Sequence, residues 1–578
     1  MHSRSFAPRP TRRSLITGAL LAGAGIVVPR SALAFAQADG TPAAEGETIV
    51  SQTKKAFRDE IEEYFGYSEP TTPGGEFIDA NVNDVKTIHP LLADDNASFG
   101  AVGTFYDGLF GTDIRSGQPA PTGLADYWEI APDRRTYTFH LNKDAKWHDG
   151  TDITAHDVQF TFDAIANPEL GSAYAQTMLE ATESWRVIDD DTFEVVAKEP
   201  LATFLYDLHD LVIPKHIWEN IPIADWPTDG GATGQDPSRV VGSGAYKFEE
   251  LRPGESYSGI LNEDYYQKKP NFDRVVTRIW PDQTSITNAF LNGEIDVTGL
   301  EPVDAELVQS MDEFEVAVFP TRNFTFYQTN LDPEKTELFQ DVRVRQALFY
   351  GLDRESIVND ILLGYAVVAE GTQPVISFAY APEEIMTKYT FDPEKAKSLL
   401  AEAGWTDSDG DGIVEKDATP LSFEFIYPSG VATTDQVVAY MQDAWRAIGV
   451  GMTPRALEFP ALVKAITEDH DFEVSMLSFG WDPSFIQDAM FGCDQYEGGF
   501  NMVKYCNMRV DELNAQAKRT FDEAERRKLI IEATNIVNDE LPVGVMYFSK
   551  GIFGYTDRLQ NYKRGPWGIN FEYLWMQQ

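Results

Sequence analysis

Residues 137–165 read YTFHLNKDAKWHDGTDITAHDVQFTFDAI. Tyr137, Phe139 and Leu141 alternate with polar side chains, the period of a strand buried on one face. Trp147-His148-Asp149-Gly150 follows as a turn whose role is architecture. His140, His148 and His156 share the stretch, yet without cysteine or an ordered carboxylate spacing they make a poor metal site. The same alternation returns at Phe193, Val195 and Ala197, and again at Leu421, Phe423 and Phe425. Such strands are interspersed with helical segments, so the fold class is mixed α/β.

The helices carry clear punctuation. In residues 391–405 (FDPEKAKSLLAEAGW), Asp392 caps, Pro393 takes the first helical position and Glu394 sits at the positive end of the dipole. Ala396, Leu399, Leu400 and Ala403 form one face, and Gly404 ends the helix. A second helix is expected over residues 434–448, with Val438, Met441, Trp445 and Ile448 inward. Residues 341–366 (DVRVRQALFYGLDRESIVNDILLGYA) predict two helices between 343 and 364, with Asp353 restarting as a cap. Residues 241–248 (VGSGAYKF) predict a tight turn that requires glycine. Upstream, residues 39–47 read as a polar linker. Residues 48–64 predict a short acidic amphipathic helix marked by Ile49, Phe57, Ile61 and Phe65. Pro and Gly over residues 70–75 then break the chain.

The chain has 578 residues, 47 basic and 92 acidic side chains and a formal net charge of −45. Length suggests two to four domains. The charge repels nucleic acid and anionic membrane, so neither is expected as a primary partner. Residues 11–16 (TRRSLI) form a twin-arginine pattern, followed by an apolar stretch over residues 15–28 and by Ala32 and Ala34, small residues suited to a signal peptidase. A signal peptide over residues 1–36 is therefore expected, and with it an exported protein. No later stretch approaches the roughly 18 apolar residues of a membrane helix, so the mature protein is expected to be soluble. Cys493 and Cys506, the only cysteines, fit a disulfide in an oxidising compartment, closing a loop that stabilises by about 3 kcal/mol. Two buried free thiols are the alternative.

Catalytic patterns are missing: no His-Glu-x-x-His, no phosphate-cradling Gly-Lys-Ser/Thr loop and no Gly-x-Ser-x-Gly elbow. Residues 407–413 (DSDGDGI) look like the opening of a calcium loop, with Asp407, Asp409, Asp411 and the Ile413 carbonyl as ligands. Ala418 stands where a bidentate glutamate is expected, with Asp417 or Glu415 as substitutes. A solvated turn between helix and strand is the other reading.

The four quoted blocks together resemble, in order and spacing, the bacterial extracellular solute-binding proteins of family 5, the peptide-binding components of ABC importers. The resemblance runs from about Gly75 to the C-terminus. It implies a two-lobed periplasmic binding protein fold with a hinge and an additional subdomain in the first lobe. Lobe I is then residues 75–112, 235–320 and 548–578, the subdomain 113–234 and lobe II 321–547, with residues 37–74 a linker and extra N-terminal helix. It also implies a binding protein with no enzymatic activity and no cofactor beyond a structural calcium ion, a monomer that delivers short peptides to a membrane permease. No cysteine follows the apolar leader, so the lipid-attachment signal of many relatives is not found and no tether is expected, and the expected location is the periplasm or the outer face of the cell envelope.

In peptide-binding relatives the stretch matching residues 478–485 (SFGWDPSF) supplies an aromatic wall and an aspartate for the peptide amino terminus, and Trp481 and Asp482 match these by type and order. A carboxylate in a poorly hydrated cleft pairs strongly with an ammonium, and an indole offers apolar area without reading sequence. The motif is shorter than the family's, so Asp482 has the alternative of capping a helix at Pro483. Phe500, Asn501 and Tyr505 lie in a loop that faces the cleft in relatives. Tyr106, Asn323 and Tyr327 are further candidates, Tyr106 with core packing as its alternative. A non-peptide cargo (oligosaccharide, opine or nickel chelate) remains open, and a secreted acidic hydrolase is the remote alternative.

Overall fold

The computed structural model describes residues 46–172, 174–208, 211–497 and 499–577. The expected signal peptide, residues 1–36, lies outside the described residues, as does most of the linker.

Three sheets organise the molecule. The first runs, in spatial order, Ile49–Val50, Ala125–Ile130, Thr136–Leu141, Thr192–Ala197 and Thr182–Asp189, antiparallel throughout. Tyr137 pairs with Val195 and Phe139 with Phe193, and all four are fully buried. The alternation read from the sequence is thus the inward face of this sheet. Ile49 and Val50 extend its edge, so the helix expected over 48–64 begins later, at Lys54–Phe65, where the Thr53 hydroxyl accepts from the Ala56 N–H. A β-branched pair favours the sheet and a threonine favours the cap.

The second sheet orders Glu76–Asn81, Arg274–Ile279, Ser256–Leu261 and Tyr246–Arg252, with the first pair parallel. Its glycine turn is required by close approach: a Cβ on Gly242 would stand 1.9 Å from the Phe105 carbonyl oxygen at the end of the Asn96–Phe105 helix. His148 of the Trp147–Gly150 turn clamps the same loop. The Gly242 N–H donates to Nδ1 at 3.2 Å, and Nε2 donates to the Gly244 carbonyl at 2.9 Å. That pattern needs a neutral imidazole, and burial pushes His148 down to about 4.

The third sheet is ordered Val297–Gly299, Val543–Thr556, Phe314–Thr329, Val474–Gly480, Ser422–Pro428 and Gly451–Leu457, with Ala366–Val368 added on Val543–Thr556. Its two long strands, 16 and 14 residues, lose register between Pro320 and Phe324, where proline offers no N–H to the ladder. Before the break they pack against a cluster holding Ile286 and Phe290, and after it Phe324, Phe326 and Tyr327 enter separate cores.

The C-terminal half follows its punctuation. Asp392 accepts from the Lys395 N–H at 2.8 Å above Pro393–Glu402, and Asp353 accepts from Ser356 at 3.1 Å where the chain restarts after Val342–Tyr350. The Ala432–Ala447 helix buries Val438, Met441 and Trp445. The Lys54–Phe65 helix is held by the other end of the chain. Tyr573 donates to Glu62 at 2.9 Å, Lys563 to the Gly66 carbonyl at 2.9 Å and Asn561 to the Ser68 carbonyl at 2.8 Å, while the rings of Tyr67 and Tyr573 stack at 4.1 Å.

Candidate functional site

The strand Val474–Gly480 pairs with Phe314–Thr329 so that Gly480 lies opposite Asn323. The next residue, Trp481, turns inward. It stacks on Phe324 at 5.1 Å, its Nε1 donates to the Thr372 carbonyl at 2.7 Å, and only 2 % of it is exposed. It is therefore a packed core group, where the sequence suggested an aromatic wall. Phe500, 48 % exposed and 5.3 Å from the Phe479 ring, offers the open aromatic surface at this end of the strand.

Asp482 points the other way. Its Oδ1 accepts from the Ser484 N–H at 2.8 Å, and the Phe485 N–H donates to its carbonyl at 3.1 Å. This is a turn, and no helix starts at Pro483; the next helical residues are Asp488–Phe491. The Asp482 carboxylate keeps a large accessible area yet lies among enough protein to be raised by burial, opposed by its bonds to Ser484. Tyr206 and Asp207 lie within electrostatic reach of it, as do Asp488 and Lys518. Burial pushes Asp207 up to about 6. Around them residues 199–207 meet residues 518–526: the Ala202 N–H donates to the Lys518 carbonyl at 2.7 Å, and Arg519 pairs with Glu199 at 2.7 Å.

Asn323 is exposed beside Gly480. The remaining candidates brace or pack. Asn501, fully buried, donates to the Gly492 carbonyl at 2.8 Å and the Tyr505 carbonyl at 2.6 Å, and accepts from the Tyr505 N–H at 3.1 Å. The Tyr505 hydroxyl donates to Glu540. Tyr106 lies in the core with the first sheet, and Tyr327 packs against Phe349 and Trp445. A tyrosine reads alike in sequence whether it faces a cleft or a core, and here, after a helix at Tyr106 and on a strand at Tyr327, the core partners take both. Of the eight candidates, Asp482, Asn323 and Phe500 present surface.

Cys493 and Cys506 are disulfide-bonded and close the loop that carries Phe500 and Asn501. In the acidic turn the carboxylates of Asp407, Asp409 and Glu415 lie within 4.8 Å of one another. Asp411 is not in that group, and its Oδ1 accepts from the Ile413 N–H at 2.7 Å. No helix among the described residues is long and apolar enough to cross a membrane.

Sequence spacing gave no sign of a further feature. A cavity of about 670 Å³ lies between the second sheet, the Lys54–Phe65 helix and the C-terminal segment, with Asp79, Asp107 and Glu572 in its wall. Among the described residues, none of the 321–547 region lines it.

The description of bacterial extracellular solute-binding proteins, family 5 (middle), matches residues 120–499. The chain is 28 % identical over 504 residues to the oligopeptide-binding protein AppA of Bacillus subtilis, covering 85 % of this chain and 90 % of that protein. The structure of Bacillus subtilis AppA in complex with a nonapeptide superposes with a TM-score of 0.73 at 26 % identity, covering 88 % of this chain and 100 % of that one. NikZ of Campylobacter jejuni in complex with Ni(L-His) superposes with a TM-score of 0.72 at 25 % identity, covering 87 % and 99 %.

Proposed function

Because the chain belongs to family 5 of the bacterial extracellular solute-binding proteins, we propose that it captures short peptides between two lobes and delivers them to the membrane permease of an ABC importer. The observation that carries this reading is the likeness to a nonapeptide-bound relative over that relative's whole length. The lobes divide as the family resemblance implies, and the long strands Phe314–Thr329 and Val543–Thr556 serve as the hinge, with their register break at the crossing. A ligand closes the lobes because it binds the closed form more tightly.

In this reading an extended peptide lies along the end of the Val474–Gly480 strand. Asp482 pairs with the peptide ammonium, Asn323 bonds the peptide backbone and Phe500 supplies apolar contact. The pairing is favourable because an enclosed, incompletely neutralised carboxylate gains a partner. The protein works as an exported monomer and carries out no chemistry on its cargo. Its one structural ion is calcium, held by Asp407, Asp409 and Glu415, and millimolar calcium then raises the melting midpoint of the parent and leaves that of Glu415→Gln unmoved.

The test is thermal stability of ligand-stripped protein against a short-peptide mixture and its N-acetylated copy, since a ligand of the native state raises the midpoint by mass action. A rise that acetylation and Asp482→Asn both abolish supports the full reading. A rise with both mixtures keeps peptides and removes the role of Asp482. No rise with either removes short peptides as cargo. The Ni(L-His) complex of the second neighbour favours a metal chelate as the alternative cargo, so nickel with histidine is the third arm.

A further inference from the structure

The 670 Å³ cavity has the size of a pocket for a small organic solute. One wall is the Lys54–Phe65 helix, through Lys54, Phe57, Arg58 and Ile61. The opposite walls carry three carboxylates from distant parts of the chain, Asp79 on the second sheet, Asp107 beyond the Asn96–Phe105 helix and Glu572 near the C-terminus. Each lies deep in the molecule yet keeps some accessible area, and each lines the cavity.

The carboxylates are poorly matched to their surroundings. Asp107 accepts from the Tyr265 hydroxyl at 3.1 Å through Oδ1, but its Oδ2 is buried without a hydrogen-bond partner. The wall also carries basic groups, Lys54, Arg58, Lys268 and Arg564; Lys54 acts on Asp107 and Lys268 on Glu572, and each of these lysines has further partners. Lys54 donates to the Gly123 carbonyl, lies 4.0 Å from Asp126 and covers the Tyr266 ring at 4.8 Å. Lys268 lies 3.8 Å from Glu62 and covers the Tyr573 ring at 4.7 Å. Arg564 stacks on Phe553 at 4.2 Å. Burial pushes Asp79 and Asp107 up to about 6 and Glu572 up to about 7. Asp79 is faced by Thr277 and Asp296, Asp107 by Lys54, Tyr265 and Tyr266, and Glu572 by Lys268 and Glu62. The three do not converge on one point: among the described residues the only three-acid group close enough to share a metal ion is Asp407, Asp409 and Glu415. Between them the wall mixes aromatic groups, Phe77, Tyr257 and Phe571, with polar and basic ones such as Thr104, Gln267, Asn570 and Arg58.

We propose that this cavity is a second solute site, separate from the cleft at Asp482, and that it takes a small organic cation, an ammonium or guanidinium group on an apolar body. The dispersed carboxylates take the charged ends, and the aromatic wall takes the body. No residue of the 321–547 region is needed, so occupancy does not depend on closure of the cleft. The Lys54–Phe65 helix is its cover.

The probe is 1,5-diaminopentane, with 1,5-pentanediol as its uncharged counterpart, titrated into the full mature protein by calorimetry. The diamine is expected to bind and the diol not to bind. Affinity is expected to be about tenfold higher at about pH 8 than at about pH 5, because at the lower pH the acids must first release protons. Asp107→Asn and Glu572→Gln are expected to lose diamine binding while keeping their melting midpoints, and Asp482→Asn to retain it. Hydrogen exchange with the diamine is expected to slow in Lys54–Phe65 and not in Val474–Gly480. Equal binding of the diol, unchanged binding by Asp107→Asn and Glu572→Gln, protection in Val474–Gly480 instead, or no heat at millimolar diamine would each overturn the proposal.

Discussion

Trp481 and Asp482 are neighbours in sequence and opposites in role. Trp481 is enclosed by Phe324, Phe491 and the Thr372 carbonyl, so Trp481→Ala is expected to cost about 3–5 kcal/mol in urea unfolding. Asp482→Asn removes a carboxylate that burial already disfavours, and is expected to leave stability within about 1 kcal/mol while peptide affinity falls. His148 makes a prediction in pH. Its folded value lies near 4 against an ordinary 6.5, so the unfolded chain takes up the proton first. Its contribution is fully present above 6.5 and is lost as pH falls toward 4. Its ring resonances are expected to stay those of neutral imidazole at pH 5, and His148→Gln to flatten part of the loss of stability over that window. The type and order of Trp481 and Asp482 were legible in the sequence. Their directions were not, because Phe324 and Thr372 reach Trp481 from far along the chain.

At the scale of elements, local physics was readable wherever it sufficed. The alternation at Tyr137, Phe139 and Leu141 gave a strand, and Asp392-Pro393 gave a helix start, because period and cap are set within a few residues. The start of the Lys54–Phe65 helix was misplaced because Ile49 and Val50 belong to the edge of a sheet whose next strand, Ala125–Ile130, is remote in sequence. The Gly242 turn was read as glycine-requiring, but the reason lies in the Phe105 carbonyl. Gly242→Ala is accordingly expected to destabilise by about 1–3 kcal/mol, measured by denaturant unfolding, whereas Gly254→Ala, which meets no neighbour but requires φ 72°, is expected to lose only the conformational preference of about 1 kcal/mol.

For the whole molecule, the composition has its own consequence. A net charge of −45 makes the compact state repel itself, and salt screens that repulsion. The melting midpoint is expected to rise from low salt to about 0.5 M sodium chloride, and a flat response would show that the surface pairs already balance the field. Neither the charge nor any motif foreshadowed the cavity acids. Asp79, Asp107 and Glu572 line one cavity only once remote parts of the chain meet, and no spacing rule spans that distance.

The stitching of residues 54–68 to residues 561–573 also bears on how the protein is made. A ribosome releases the first of these segments long before it has synthesised the second, so the seam stays open on every nascent chain. A translocon that threads unfolded polypeptide must leave the seam to form on the far side. A pore that accepts folded cargo receives it already sewn.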